Sequence, residues 1–156
     1  MAYESNVEDL LESLRGDIET NIATYVTGIN TAKGDGLTLP AIASVTVQDP
    51  DPYDAATLPA AMLDAEDVIT EPLDSGHDVL IANVLLVLAI QEDDNQRTRL
   101  HRYSEALRQC LIGSKDRGDV GFDVNPRQPV VIQYYGVLDG VAVASVRFQV
   151  LTDVPR

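Results

Sequence analysis

The stretch His77-Asp78-Val79-Leu80-Ile81-Ala82-Asn83-Val84-Leu85-Leu86-Val87-Leu88-Ala89-Ile90-Gln91 decides the fold. Leu80, Ala82, Val84, Leu86, Leu88 and Ile90 form one alternating set of apolar residues, and Val79, Ile81, Leu85, Val87 and Ala89 form the other. In a strand these two sets point to opposite faces, so the spacing predicts one long strand that is covered on both sides. The apolar run from Val79 to Ile90 is broken by Asn83 and falls well short of the ~20 residues that span a bilayer, so it reads as core and not as membrane.

On either side of this strand the pattern changes. Asp74-Ser75-Gly76 makes the turn into it, and Asp93, Asp94 or Asn95 caps a helix that follows it. That helix carries Leu100, Tyr103, Leu107 and Leu111 on one stripe, shows Arg97, Arg99, Arg102 and Arg108 on its other face, and ends at Gly113. Toward the C-terminus, Val130 to Val137 and Val141 to Leu151 read as a hairpin around Leu138-Asp139-Gly140. In its second strand Ala142, Val146, Phe148 and Val150 alternate with Ser145, Arg147 and Gln149.

Toward the N-terminus, Val7, Leu10, Leu11, Leu14, Ile18, Ile22, Val26 and Ile29 recur at steps of three and four, the signature of a long amphipathic helix. Ser5-Asn6-Val7-Glu8 has the form of a capping box at its start, and Lys33-Gly34-Asp35-Gly36 is its stop. A short strand is expected over residues 41–48, and Asp49-Pro50-Asp51-Pro52-Tyr53-Asp54 as an extended loop, because the residue before each Pro is pushed out of the helical region. Residues 57–71 read as a mostly edge-type strand or an arm. The expectation is a single α+β domain over 1–156: a mixed, mostly antiparallel sheet, a long N-terminal helix and a second helix packed on one side, a C-terminal β-hairpin, and an extended acidic arm at 49–75.

The chain has 156 residues and 16.9 kDa, enough for one domain that buries about 70% of the surface of its unfolded chain. It is 45% apolar with mean hydropathy −0.03, which excludes a disordered tail or a membrane protein. Charge is the outlier, at −14. Residues 1–94 hold two basic and nineteen acidic groups, net −17, and residues 95–156 hold nine basic and six acidic, net +3. Most of such a surface repels a polyanion, which disfavours conventional nucleic-acid binding and docking to an anionic membrane. The acidic start of the chain lacks the pattern of a secretory signal, and the lone Cys110, with no partner for an intrachain disulfide, fits a reducing cytosol.

No residue set stands out as catalytic or metal-binding. His77 and His101 have no second ligand at metal-site spacing, and Asp49, Asp51 and Asp54 lack the central Gly and closing Glu of a calcium loop. Cys110 follows the apolar stripe of its helix, and no G-x-S-x-G or phosphate loop occurs. Tyr134-Tyr135 is the one aromatic pair, with one ring expected in the core and the other at a surface or interface. From Asp35 to Asp94 there are thirteen acids and no Lys or Arg, and then Arg97, Arg99 and Arg102 follow at once. A solvated acidic face beside a solvated basic one accounts for this. So does head-to-tail assembly, in which the acidic arm of one copy meets the basic helix of the next.

The order of elements, with Val79-Leu80-Ile81-Ala82-Asn83-Val84-Leu85-Leu86-Val87 leading into Gln96-Arg97-Thr98-Arg99-Leu100-His101-Arg102-Tyr103-Ser104-Glu105-Ala106-Leu107, resembles the tail-terminator and tail-completion proteins of long-tailed bacteriophages. These are small α+β chains that form a six-membered ring on the end of the tail tube. The resemblance covers nearly the whole chain in element order and rests on no short diagnostic motif. It implies a structural, non-enzymatic virion protein, assembled in the bacterial cytoplasm, that ends tail polymerisation and offers a surface to the head. Its partners would be copies of itself, the tail tube protein and a head-tail connector or neck protein, with DNA passing through unbound and no cofactor or metal. Under that reading Asp64, Glu66 and Asp67 with Arg97, Arg99 and Arg102 are the expected ring contacts, and Asp49, Asp51 and Asp54 line the channel or face the tube. A neck or head-completion protein, a small enzyme with an acidic site and a monomeric adaptor stay open as alternatives.

Overall fold

The computed structural model describes residues 2–47, 58–114, 122–138 and 140–155. The chain is α+β, with two helices and a mixed six-stranded sheet. Its elements are α1 (Ala2–Lys33), β1 (Ser44–Val47), β2 (Ala60–Pro72), β3 (His77–Gln91), α2 (Gln96–Gly113), β4 (Asp123–Val124), β5 (Val131–Leu138) and β6 (Val141–Pro155).

The sheet is built around β3 and β6. They pair antiparallel from His77↔Pro155 to Gln91↔Val141 without a slip, a ladder roughly 50 Å long. On one side β2 pairs antiparallel with β3, and β1 lies parallel to the first four residues of β2. On the other side β6 pairs with both β5 and the two-residue β4. Gly140, at φ 78, supplies the left-handed residue in the β5–β6 turn.

Register then sorts the side chains. Leu80, Ala82, Val84, Leu86, Leu88 and Ile90 of β3 lie beside Ala142, Ala144, Val146, Phe148 and Val150 of β6 on one face, and all are buried. Both helices pack there. Leu10, Leu11, Leu14, Ile18, Ile22, Val26 and Ile29 of α1 join Leu100, Tyr103, Leu107 and Leu111 of α2 in the same core, which also holds the buried Cys110. The helix stop is as expected, with Gly34 at φ 54 donating its N–H to the Asn30 carbonyl at 3.1 Å.

Three expectations need correction. α1 begins at Ala2, so Ser5 lies inside the helix and is not its cap. Arg102 does not face solvent; it is 9% exposed. The second apolar face of β3 is not fully covered. Ala89, Val141 and Val143 are buried with Leu58 and Val87 against them, whereas Val79, Ile81 and Leu85 are only half-buried and Ile69 on β2 is 52% exposed. Of the segment read as an arm, residues 60–72 are β2, paired with β3 along its length, and residues 48–57 lie outside the described residues.

The two faces should answer differently to truncation. Leu86→Ala, in the closed face, is expected to cost about 2–5 kcal/mol in urea denaturation, and Ile69→Ala, on the open one, less than about 0.5 kcal/mol.

Candidate functional site

The face of the sheet turned away from the helices is where function has room to reside. Reading across the strands by register, Asp67, Asn83 and Gln149 lie in one row, and β4 brings Asn125 to its end. Asn83 Nδ2 donates to Asp67 Oδ1 at 2.5 Å, Gln149 Nε2 to Asn83 Oδ1 at 3.2 Å, and Asn125 Nδ2 to Gln149 Oε1 at 2.5 Å. Asn83 and Gln149 therefore each act as donor and acceptor in a chain that runs across β2, β3 and β6 to the residue after β4.

A second row centres on Arg147. Its Nε donates to Glu66 Oε1 at 3.0 Å, and its Nη1 reaches Gln133 Oε1 at 3.3 Å and Tyr135 Oη at 3.5 Å. The Ser145 hydroxyl and Arg147 together hold the Tyr135 phenol below its usual value. The belt is flanked by apolar surface: Ile69, Ile81 and Leu151 toward the β2–β3 turn, and the Ala89, Val141, Val143 cluster toward the other end.

Asp64, Glu66 and Asp67 thus share this open face. Glu66 sits at the bulge in β2, and Asp64 Oδ1 accepts from the Ala65 N–H at 2.9 Å. Arg97, Arg99 and Arg102 are brought together on α2, in the other layer of the molecule, so the two sets do not meet within one chain. Asp49, Asp51 and Asp54 lie outside the described residues.

Two of the three arginines are not the free cations the charge pattern suggested. Arg102 holds Asp35 with both ends of its fork, at 3.1 and 2.5 Å, and donates to the Leu37 carbonyl at 3.0 Å. Arg99 Nη1 donates to the Thr38 carbonyl at 3.2 Å, while its Nε lies 3.0 Å from Asp93 in an ion pair without hydrogen-bond geometry. Next to them Tyr103 donates to the Pro40 carbonyl at 2.6 Å, and burial pushes its phenol up to about 12. These side chains staple the α1–β1 connection to α2. Arg97 lies 5.0 Å over the ring of Tyr134, which also packs on His101 at 4.6 Å. Tyr134 thus belongs to the helix side of the sheet, and Tyr135 to the open face at 43% exposed.

Neither a scan against protein-family models nor a search of curated proteins finds a match for this chain. Among the described residues no group of three or more His, Cys, Asp or Glu is placed to hold a metal ion, and no helix is long and apolar enough to cross a membrane.

Sequence reasoning missed Arg147, Gln149, Asn125 and Asp35. The signal for the belt was present in Asn83, which breaks the apolar run, and in Ser145, Arg147 and Gln149, which alternate with core residues. Only the register shows that Asn83 and Gln149 are cross-strand partners.

The Asp35 carboxyl gives this region a pH signature. The Arg102 guanidinium, followed by the Leu37 N–H, lowers it from 3.8 to about 2. The unfolded chain takes up this proton near 3.8 and the folded chain only near 2, so the pair's contribution is complete above pH ~4 and is lost as pH falls toward 2. In acid titrations followed by far-UV circular dichroism, Asp35→Asn should be less stable than the native chain at pH 6, and its stability should fall less steeply between pH 4 and 2.

Proposed function

We propose that this chain is a structural assembly subunit of the tail-terminator kind. Copies form a ring, six by the resemblance, on the end of a phage tail tube, stop its polymerisation and present a surface for head attachment. The observation that carries this reading is the open sheet face: two 15-residue strands leave Val79, Ile81, Leu85 and Leu151 partly exposed around an ordered polar belt, with no helix of the described residues over them. A monomer's sheet is ordinarily closed by its own helices or made polar outside; a partly apolar face with fixed hydrogen bonds suits contact with another chain.

The role is mechanical and calls for no bound cofactor or reacting group. A net charge of −14 would serve it by repelling DNA phosphate, so that a duplex passing through the ring is not gripped by the wall. The length stop follows from geometry, since a ring that matches the tube on one face and not on the other ends the stack.

Electron microscopy of the purified protein, alone and mixed with tail tubes, tests the reading. Rings with an open pore, capping one end of the tubes, are expected. Capping of filled heads with no affinity for tubes would move the protein to the neck, and a compact dimer with a deep cleft, or a monomer that ignores tubes and heads alike, would overturn the proposal.

A further inference from the structure

Among the described residues the large apolar side chains that stand exposed are Ile69, Leu73, Ile112, Val131, Tyr135 and Val137. They gather on the two opposite margins of the molecule: Ile69 and Leu73 belong to β2 and its turn, and the other four to β5 and the end of α2. Among the described residues both margins end in open strand edges. β1 covers β2 only over Ala60–Leu63, and among the described residues no strand pairs with the outer edge of the remainder or with the outer edge of β5.

The margins differ in charge. Between Asp64 and Asp74 the β2 side carries Asp64, Glu66, Asp67, Glu71 and Asp74 with no Lys or Arg, and among the described residues only Glu66 has an arginine on it. β5 carries no charge from Val131 to Leu138 and is entered past the exposed Arg127. Pairing β2 with a second β2 would set Glu66, Asp67 and Glu71 against like charges, whereas β5 offers an uncharged, apolar edge.

We infer that successive copies join edge to edge, the β2 margin of one against the β5 margin of the next, so that the sheet continues from chain to chain. The occupant of each open edge is thus a second copy of this chain, bound heterologously. Beyond its bulge β2 runs regularly from Asp67 to Pro72, and β5 runs regularly from Val131 to Tyr134 before its own bulge. These are the segments that meet. The bulges limit the shared ladder and fix its register. Three antiparallel pairings separate β2 from β5 within the chain, so the two edges meet antiparallel: Ile69 lies opposite Tyr135 and Leu73 opposite Val131, with Asp74 toward Arg127. Opposite margins of one chain cannot touch each other, so the contact propagates, and it ends when the ring closes. The inference rests on the assembly reading above and names its interface.

Chains with one introduced cysteine test it, with the buried Cys110 left in place. Ile69→Cys and Tyr135→Cys chains are purified separately, checked for native circular dichroism, and treated with a short bis-maleimide alone and mixed; Leu73→Cys and Val131→Cys form a second pair should either of the first misfold. The mixture should give a covalent dimer that neither chain gives alone, and the double variant should give a ladder ending at the size of the ring. A covalent dimer from Ile69→Cys alone would overturn the inference in favour of a symmetric contact. Light scattering that shows an oligomer with no cross-link in the mixture would overturn it and leave the ring reading standing. Cross-links formed only to tail tube protein would assign the edge to another partner. Monomer under all conditions, tubes included, would remove both readings.

Discussion

The in-phase register of β3 and β6 is the constraint on which the rest of the structure depends. Fifteen consecutive pairs without a bulge lock the two-residue period of one strand to that of the other. A slip by one residue would send Leu80, Val84, Leu86 and Leu88 to the open face and bring Asn83 into the core. Because both strands carry their largest apolar residues in the same phase, only one register buries them together. β2 and β5 inherit that phase by pairing on either side, and the helices are left one continuous apolar face to cover. The other face receives what the odd positions hold: a polar belt with apolar surface at each end.

The helical layer is held by a second device. After α1 the chain must cross over α2 to reach β1, and the carbonyls of Leu37, Thr38 and Pro40 on that path have no strand to pair with. Arg102, Arg99 and Tyr103 supply their donors from adjacent positions of α2. Backbone acceptors placed against a buried helix need such partners, so the arginine cluster spends its hydrogen-bonding capacity inside the chain. The Asp35 carboxylate neutralises Arg102, which is what allows a guanidinium to be as buried as this one is.

Much of this was legible in the sequence, for reasons that can be traced to particular residues. The steps of three and four from Val7 to Ile29, the double alternation of residues 77–91 and the single alternation after Val141 each carry enough repeats to define a period. β4 has two residues and defines none. The burial of Arg102 was invisible because its partners lie 67 and 65 residues away, and spacing on a helix does not tell a cation that faces water from one that faces a distant loop. The same limit explains the open face: apolar residues at Val79, Ile81 and Leu85 call for cover, but the sequence does not state whether the cover comes from the same chain.

The belt is consistent with the cover by another chain proposed above. Asp67, Asn83, Gln149 and Asn125 are hydrogen-bonded in a row from β2 to the residue after β4, and Glu66, Arg147 and Gln133 form a second row beside them. A satisfied network can be approached by a partner without leaving a polar group unpaired, which an isolated Asn or Arg in an apolar face would not allow. A helix of the same chain laid over it would gain little, because the middle of the face offers few apolar atoms to bury. A face of this kind is stable in water and stable under contact, which is what the proposed assembly would need. The acids of β2 complete the logic. On the assembly proposed above they would bar the edge from copies of itself while leaving it open to an uncharged or basic one, and the acid excess would give that assembly a direction.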